Sequence, residues 1–268
     1  MAGILSPDEI LEYAENNAIK KDKLSFKKLG LLSFLAGVYI TMGGLLSIMV
    51  GFGFPELAHS NPVFYKLGMG IFFPVGIILV AIAGAELFTG NTSYFIPALI
   101  NKRVKWSGVL RNWSIVWIFN FIGSLFFLYF FIYLTGVIKE DCWVEGLNKL
   151  ALAKTSKPFF ITLLKGIAAN WLVCLAMWLG MSSKSTAGKI LGLWWPVMTF
   201  VTMGYEHSIA NMFFLPMAML NGTDISVVDL FVKNLIPATI GNIIGGAVFV
   251  GGFYSCIYNS ESKKNKLG

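Results

Sequence analysis

Two glutamates lie inside stretches of the sequence that are otherwise apolar. The first is in GAELFTGNTSYFIP, residues 84–97, and the second is in GYEHSIANMFFLP, residues 204–216. Both stretches follow the pattern G-x-E-x4-N, so that Gly84, Glu86 and Asn91 are matched by Gly204, Glu206 and Asn211. A charged side chain in a lipid-spanning segment is energetically unfavourable, and such residues are functional candidates by default. Two glutamates in matching contexts indicate one kind of site that is built twice.

The composition indicates that these glutamates are surrounded by a lipid bilayer. Of the 268 residues, 56% are hydrophobic and 13% are charged, and the mean hydropathy is +0.70, far from the values of a soluble domain. A bilayer core of about 30 Å needs roughly 20 apolar residues per helix. The chain offers six such stretches, approximately 31–53, 67–100, 112–138, 159–181, 190–220 and 231–257. We therefore predict an all-α membrane protein with six transmembrane helices, because a β-barrel would need short alternating segments instead.

The basic residues predict the orientation of the chain rather than binding to nucleic acid. The net charge is +7, and 14 of the 21 basic residues lie in the N-terminal arm, the second loop, the fourth loop and the tail. Cytoplasmic loops are the ones enriched in lysine and arginine, so both termini are expected in the cytoplasm, below the inner cell membrane. Some attraction for anionic lipid or anionic solute is also expected.

These features divide the chain into three parts. Residues 1–30 are predicted to form a cytoplasmic amphipathic segment, in which Ser6 and Pro7 begin a short helix. Residues 31–257 form a single transmembrane channel domain with two halves, about 31–138 and 159–257. Residues 258–268 form a cytoplasmic tail.

Matched polar residues predict that the two halves of the channel domain are repeats. Asn112, Asn120 and Gly123 lie 122 positions before Asn234, Asn242 and Gly245, and Gly37 is a weaker match for Gly166. Each half has three predicted spans, so the second half must cross the membrane in the opposite sense. Polar residues 89–92 interrupt the long second stretch, and we predict that the second and fifth helices are broken near the bilayer centre. Inverted repeats with broken helices are a transport architecture.

Three segments together resemble the formate/nitrite transporter family. They are AELFTGNT at residues 85–92, KTSKPF at 154–159 leading to KGIAANWLVCLAMW at 165–178, and GYEHSIANMFFLP at 204–216. The resemblance extends from about Lys28 to the end of the sixth stretch. It implies an aquaporin-like fold, a homopentamer with one pore per subunit, and passage of small monovalent anions such as formate, nitrite or hydrosulfide.

The resemblance places His207 and Thr89 at the centre of the pore. In the family, the histidine of E-H-S/C-I-A-N lies opposite the threonine of L-F-T. A buried histidine can donate a hydrogen bond or a proton to an anion, and the Thr89 hydroxyl and the backbone N–H groups at the break add donors without a full charge. The alternatives are a neutral histidine bonded to Asn211 and a threonine bonded within its own helix. Asn170 and Asn211 are further candidates for the pore centre.

Glu86 and Glu206 are expected to support the helix breaks rather than to face an anion. A carboxylate beside a broken helix can accept hydrogen bonds from the free backbone N–H groups, or can be protonated by burial. Asn91 is assigned the same structural role, because buried charges persist when they are paired or hydrogen-bonded.

Lysines near the ends of the spans are candidates for attracting anions. Lys28 and Lys154 match family lysines that gather anions at the two mouths of the pore. The alternative is that each lysine extends from a helix end to the membrane surface. Lys165 lies inside the fourth stretch and is expected to reach a polar cavity or the interface.

Apolar side chains are expected to narrow the pore and to exclude hydrated metal ions and larger solutes. Leu87 and Phe88 belong to the first motif itself, and Val173 follows Asn170 by about one turn. The remaining candidates for the constriction are Phe73 and Phe200, for which simple packing or contact with lipid is the alternative.

These observations favour a passive or proton-linked conduit for a small weak-acid anion. One alternative is an aquaporin-like channel for a small neutral solute, although both breaks lack the Asn-Pro-Ala signature. Another is a membrane enzyme or redox subunit with Glu86, Glu206 and His207 around a metal. The sequence predicts no enzyme activity, no cofactor and no metal site, and the three cysteines are widely spaced. The GNT that follows LFT slightly favours hydrosulfide over formate.

Overall fold

The computed structural model describes residues 3–264, and these residues are predominantly helical. The first half contains α1 (Pro7–Asp22), α2 (Phe26–Phe52), α3 (Pro55–Ser60), α4 (Pro62–Phe72), α5 (Val75–Leu79), α6 (Phe88–Ile100) and α7 (Trp106–Phe127). The second half contains α8 (Asp141–Thr155), α9 (Phe159–Ser182), α10 (Thr186–Thr202), α11 (Ser208–Leu220), α12 (Ile236–Gly246) and α13 (Phe253–Lys264). The predicted all-α class is confirmed, and residues 265–268 of the expected tail lie outside the described range.

Segments of π-helix lengthen several of these helices. They extend α5 through Val80–Gly84 and α7 through Leu128–Tyr133, and they flank α12 at Asp229–Leu235 and Ala247–Gly252. With these extensions, five helical segments between residues 3 and 264 are long and apolar enough to cross a membrane. They are Phe26–Phe52, Pro62–Gly84, Trp106–Tyr133, Phe159–Ser182 and Asp229–Asn259. The fifth predicted stretch is instead divided between α10 and α11, which have 17 and 13 residues.

The first break lies at residues 85–87, before the polar cluster at 89–92, and the second break lies at residues 205–207. The chain leaves helical geometry at Gly84 and Gly204, whose φ angles are +86° and +68°, and α6 and α11 begin again at residues 88 and 208. The predicted interruption at residues 89–92 is therefore wrong, because these residues form the first turn of α6. Their short polar side chains fit a helix: the Thr92 hydroxyl donates to the Thr89 carbonyl at 2.7 Å.

Small residues allow the long helices to approach closely, as the sequence predicts. A Cβ atom added to Gly37 would collide with the backbone of Asn120 on α7, and one added to Gly123 would collide with the backbone of α2. The same crossing recurs between α9 and α12. Asn120 donates to the Ser33 carbonyl, and Asn242 donates to the Gly166 carbonyl. Ser33 rather than Gly37 is thus the counterpart of Gly166, a shift of one helical turn from the predicted match.

Helix α1 is the amphipathic N-terminal helix that the sequence predicts. The Ser6 backbone N–H donates to the Glu9 carboxylate at 2.8 Å, which closes one arm of a capping box. Its apolar residues Ile10, Leu11, Ala14 and Ala18 are buried, and α1 packs against α6, α9 and α13. Helix α8, which the sequence analysis did not predict, packs on α11 as α1 packs on α6. Each short helix after a break is therefore held by a more polar helix from the same half.

The turns after α6 and α11 have the same hydrogen bond but different side chains. The backbone N–H groups of Arg103 and Thr223 each donate to the carbonyl five residues earlier, at 2.7 and 3.0 Å. The preceding residues, Lys102 and Gly222, have φ angles of +56° and +85°. Glycine adopts this left-handed conformation without strain, whereas a lysine is destabilised there by about 1 kcal/mol or more. Lysine at position 102 is thus not required to form the turn.

We expect that Lys102→Gly raises the free energy of unfolding by roughly 0.5–1 kcal/mol, because it removes the left-handed strain. The reverse change at the other turn, Gly222→Lys, should lower it by about 1–2 kcal/mol. Thermal and denaturant unfolding of the purified protein in detergent measure both changes. Lys23→Gly is the control, since Lys23 has a φ of −82° and gains no relief from glycine. A loss of stability in Lys102→Gly as large as that in Lys23→Gly would contradict the strain.

Candidate functional site

Glu86, in the first break, is bound by side chains from two helices. The Lys21 ammonium on α1 lies 2.6 Å from its Oε1, and the Asn91 amide on α6 donates to its Oε2 at 2.8 Å. The same Asn91 nitrogen donates to the Oδ1 of Asn112 on α7 at 2.9 Å. The buried carboxylate thus joins the break to α1 and α6, and through Asn91 to α7. We call Lys21, Glu86, Asn91 and Asn112 the first brace.

Glu206, in the second break, has the same surroundings. The Lys154 ammonium on α8 lies 2.9 Å from its Oε2, and the Lys157 ammonium lies 3.6 Å from its Oε1. The Asn211 amide donates to Glu206 Oε2 at 2.8 Å and to the Oδ1 of Asn234 at 2.7 Å. We call Lys154, Glu206, Asn211 and Asn234 the second brace. It repeats the first brace residue by residue, and α8 supplies its lysine as α1 supplies the other.

Lys157 is the additional cation of the second brace, and it lies just before α9 begins. Burial of this side chain lowers its pKa below the ordinary lysine value. The attraction of Glu206 opposes the shift, whereas the charges of Lys154 and Lys165 add to it. Lys157 therefore loses its proton at a lower pH than an exposed lysine.

The backbone of each break is held by an asparagine from another helix of the same half, which is α7 for the first break and α12 for the second. Asn120 Oδ1 accepts the Phe88 N–H at 3.0 Å, and Asn242 Oδ1 accepts the Ser208 N–H at 2.8 Å. Each asparagine also donates to the carbonyl two residues earlier in the break, at 2.9 Å in both cases. This corrects the expectation that the glutamate carboxylates accept these N–H groups. An amide can satisfy a backbone donor and a backbone acceptor together, and an ionised carboxylate cannot.

Thr89 and His207 are brought together although 118 positions separate them. Thr89 Oγ1 lies 2.9 Å from His207 Nε2, and both residues are buried. The Ala210 backbone N–H donates to His207 Nδ1 at 3.0 Å, so Nδ1 must carry a lone pair. The imidazole is therefore neutral with its proton on Nε2, pointing at Thr89. The amide nitrogen of Asn211 is bonded within the second brace instead of to His207.

Asn170 holds the backbone of Thr89 in place. Its amide nitrogen lies 3.2 Å from the Thr89 carbonyl, 2.9 Å from the Thr92 hydroxyl and 2.5 Å from the Asn242 carbonyl. Cys174, one turn further along α9, also donates to the Thr89 carbonyl, at 3.4 Å. Asn170 is thus beside the Thr89–His207 contact, whereas Asn211 belongs to the second brace and is the counterpart of Asn91.

Two cavities reach the two braces separately. One, of about 80 Å³, is lined by Lys154, Asn211 and His207. The other, of about 490 Å³, is lined by Lys21 and Glu86. The two cavities have no lining residue in common, and Thr89 lines neither of them. The smaller cavity therefore ends at the imidazole of His207, and the Thr89–His207 contact lies outside the larger one.

The predicted constriction residues fall into two groups. Phe73 and Phe200 line the cavity that contains His207, and the Phe200 ring stacks on the imidazole with a centroid distance of 5.7 Å. Phe73 meets Phe200 edge to face at 6.0 Å. The other candidates are buried and line neither cavity, namely Leu87, Phe88 and Val173. Two aromatic rings thus cover the histidine on the side of the smaller cavity.

The two lysines that were expected to attract anions lie in different surroundings. Lys154 is 7% exposed and is bonded in the second brace. Lys28 is exposed and lines the larger cavity. Lys21, which the sequence analysis did not single out, is the counterpart of Lys154. Each of these lysines lies eleven positions before one of two residues that the structure matches, Leu32 and Lys165, and the sequence alone does not match that pair. The backbone N–H groups of Glu86 and Glu206 donate to the carbonyls of that pair.

Lys165 reaches the second break from within α9. Its ammonium donates to the Gly204 carbonyl at 3.2 Å, so the polar partner that the sequence analysis expected is the backbone of the break. The counterpart in the first half is the apolar Leu32. The two breaks therefore share their braces and differ in this added cation.

Comparison with known proteins gives consistent matches over almost the whole chain. The family model for the formate/nitrite transporter matches residues 8–256. A "Probable formate transporter" of Methanothermobacter thermautotrophicus is 39% identical over 270 residues, which is 96% of this chain and 98% of the relative.

Two solved structures have the same fold. One described as an FNT family ion channel superimposes with a TM-score of 0.84 at 29% identity, over 92% of this chain and 98% of the other. One described as a pentameric formate channel with formate bound gives a TM-score of 0.76 at 33% identity, over 87% and 98%. Together with the apolar helices and the duplicated braces, these matches establish an integral membrane protein that belongs to the formate/nitrite transporter family.

Proposed function

We propose that this protein conducts small monovalent weak-acid anions through an apolar slit centred on Thr89 and His207. The observation that carries the proposal is the buried 2.9 Å contact between Thr89 Oγ1 and His207 Nε2. It supplies two polar hydrogens, one on Nε2 and one on the hydroxyl, in an otherwise apolar region. An anion that has lost its water needs such donors. The relative and the solved structure named for formate make formate the first substrate to test.

The donors at this site are neutral, and this favours passage over capture. A full positive charge in an apolar region would hold an anion too strongly for release, whereas a site must bind weakly enough to let it leave. Protonation of Nδ1 would break its bond with the Ala210 N–H. His207 therefore acts as a neutral hydrogen-bond donor through Nε2 and not as a fixed positive charge. Free N–H groups in the first turns of α6 and α11 add partial positive charge.

The braces keep the breaks in shape and pair each buried carboxylate with a lysine. Lys21 and Lys154 balance Glu86 and Glu206, and Asn91 and the other brace asparagines fix the carboxylates. Lys28 and Lys20 line the larger cavity and raise the local concentration of anions there. Leu87, Phe88 and Val173 form the apolar wall next to Thr89, and Phe73 and Phe200 form the narrow part next to His207.

The wider architecture follows from the same observations. The duplicated braces support an inverted repeat of three plus three spans with an aquaporin-like arrangement, in which α10 and α11 share one span. The pentameric neighbour supports a homopentamer with a pore in each subunit. The basic arm and tail support cytoplasmic termini and a location in the inner membrane. The channel domain is residues 31–257.

We expect that Thr89→Val and His207→Asn each lower formate flux roughly tenfold or more, because each removes a donor at the point where the anion has no water. Flux into proteoliposomes, followed by stopped-flow swelling, measures the change. Thr135→Val is the matched control, since this exposed threonine in the turn after α7 donates to the nearby Phe131 carbonyl and should leave the flux unchanged. Unchanged rates and unchanged pH dependence in both site variants would exclude the central site.

The same vesicles compare formate, nitrite, hydrosulfide and glycerol. We expect the three anions to pass and glycerol to be excluded, with rates that respond to the membrane potential. If hydrosulfide passed much faster than formate, the preference predicted from the GNT segment would hold. Rapid glycerol flux that ignores membrane potential would favour the channel for neutral solutes.

The braces predict a specific pattern of stability. Glu206→Leu alone leaves Lys154 buried without its partner and should lower the free energy of unfolding by about 3 kcal/mol or more. Adding Lys154→Met removes the uncompensated charge and should recover a large part of this loss. Unfolding in detergent measures both.

The exposed pair Lys149 and Glu145 provides the control, and the same apolar changes there should alter stability by about 0.5 kcal/mol at most. The brace interpretation requires that the effects of the Lys154 and Glu206 changes on the free energy of unfolding are coupled. The effects of the changes at Lys149 and Glu145 should be almost additive. A double variant that is as unstable as the sum of its single changes would exclude it.

A further inference from the structure

A basic pocket lies at one end of the helical bundle and shares only Leu24 with the lining of the larger cavity described above. It has a volume of about 570 Å³ and lies between the end of α1, the segment that follows it, and the start of α7. The basic side chains that line it are Arg103, Lys105 and Arg111, and Asp22 also lines it. Arg111 donates to the carbonyls of Asp22 and Leu24 at 3.3 and 2.8 Å. Its guanidinium is thus fixed in the pocket wall by neutral oxygens, and its charge is kept.

The charges around the pocket are predominantly positive. Arg103 is paired with Glu15 at 3.2 Å, but its side chain remains about half exposed. Lys23 and Lys27 flank the lining residues in sequence and are exposed. Asp22 is the acidic residue among those that line the pocket, and Glu15 is the partner of Arg103. The pocket therefore attracts a ligand whose anionic group can lie at the protein surface.

An apolar surface begins immediately beside the basic side chains. Trp106 follows Lys105 in sequence and starts α7, and Leu110 lies one turn further on the same face. Phe26 and Leu31 lie at the start of α2, and all four side chains are exposed over more than half of their surface. Lysine and arginine next to an exposed tryptophan mark the level of lipid headgroups. The pocket is thus at the level of the lipid headgroups, and the exposed apolar side chains beside it are at the level of the acyl chains.

The equivalent turn after α11 shows that the charges at positions 102 and 103 are not needed to form the turn itself. Thr223 donates the same backbone hydrogen bond as Arg103, and Gly222 takes the left-handed position of Lys102. Threonine and glycine therefore suffice to form this turn. The basic residues at 102 and 103 are present at one end only, where they add charge beside the apolar surface.

We propose that this pocket, formed by Arg103, Lys105 and Arg111, binds the phosphate headgroup of an anionic phospholipid. The guanidinium of Arg111 and the exposed amine of Lys105 contact the phosphate oxygens, and the acyl chains lie along Trp106 and Leu110. The arginine fork suits a phosphate, which accepts two parallel hydrogen bonds from it. The site is independent of the conduction slit.

Native mass spectrometry of the purified full chain tests the site, with phosphatidylglycerol and phosphatidylcholine of identical acyl chains as probes. We expect the wild type to bind phosphatidylglycerol more tightly. The double variant Arg103→Thr, Lys105→Gln should lose roughly tenfold in affinity for phosphatidylglycerol and little for phosphatidylcholine. Lys139→Gln, Lys149→Gln removes the same charge elsewhere and should change the affinity by less than about twofold. Equal binding of both lipids by the wild type, or equal losses in both double variants, would overturn the proposal.

Two further measurements distinguish a bound lipid from a free phosphate ester, and a lost site from a lost fold. Millimolar glycerol phosphate should not displace phosphatidylglycerol, since it lacks the acyl chains. Displacement would show that the pocket binds a free phosphate ester and would overturn the proposed lipid site. Lys105→Gln alone tests the site if the double variant is unstable, because the Lys105 side chain makes no capping bond to α7. This variant should keep the wild-type melting temperature and still lose affinity for phosphatidylglycerol. Unchanged affinity in a stable Lys105→Gln protein would count against the site.

Discussion

Burial of a carboxylate inside each helix break is the constraint on which the rest of the structure depends. An ionised carboxylate in an apolar interior is tolerated only with a cation and hydrogen-bond donors next to it. Lys21 and Asn91 meet this requirement for Glu86, as Lys154 and Asn211 do for Glu206. The lysines come from α1 and α8, so these polar helices must dock at the ends of the bundle. The braces in turn fix where α6 and α11 begin.

The two halves share a frame and differ at the residues that meet between the two breaks. When Glu86 is matched with Glu206, Leu87 takes the position of His207, and Thr89 takes the position of Ile209. One half thus contributes the hydroxyl and the other contributes the imidazole, and they meet at 2.9 Å. The two matching braces stabilise both breaks, whereas Thr89 and His207 occur once and form a single central contact. The Thr89–His207 contact therefore arises from departures from the repeat rather than from the repeat itself.

Neutral hydrogen-bond donors are a physical compromise for an apolar conduit. A fixed lysine at the centre would bind an anion strongly at low effective dielectric, and a fully apolar centre would exclude it. The structure keeps Lys21 and Lys154 paired with carboxylates in the braces, and it places Lys20 and Lys28 along the larger cavity. Membership of the formate/nitrite transporter family fits this arrangement. The basic pocket near Trp106 uses charge differently, at the surface and without a nearby slit.

The sequence by itself determined the membrane class and the helical fold, and it singled out the two G-x-E-x4-N segments, because hydropathy and matched spacing are local properties of the chain. It also placed Thr89 and His207 together, through a family resemblance. Only the tertiary structure decided that Asn120 and Asn242 cap the breaks, that Lys21 pairs with Glu86, and that Gly84 rather than residues 89–92 begins the first break. These contacts join residues tens of positions apart, and an asparagine or lysine has many possible partners at that separation. Geometry selects among them, and spacing in the chain does not.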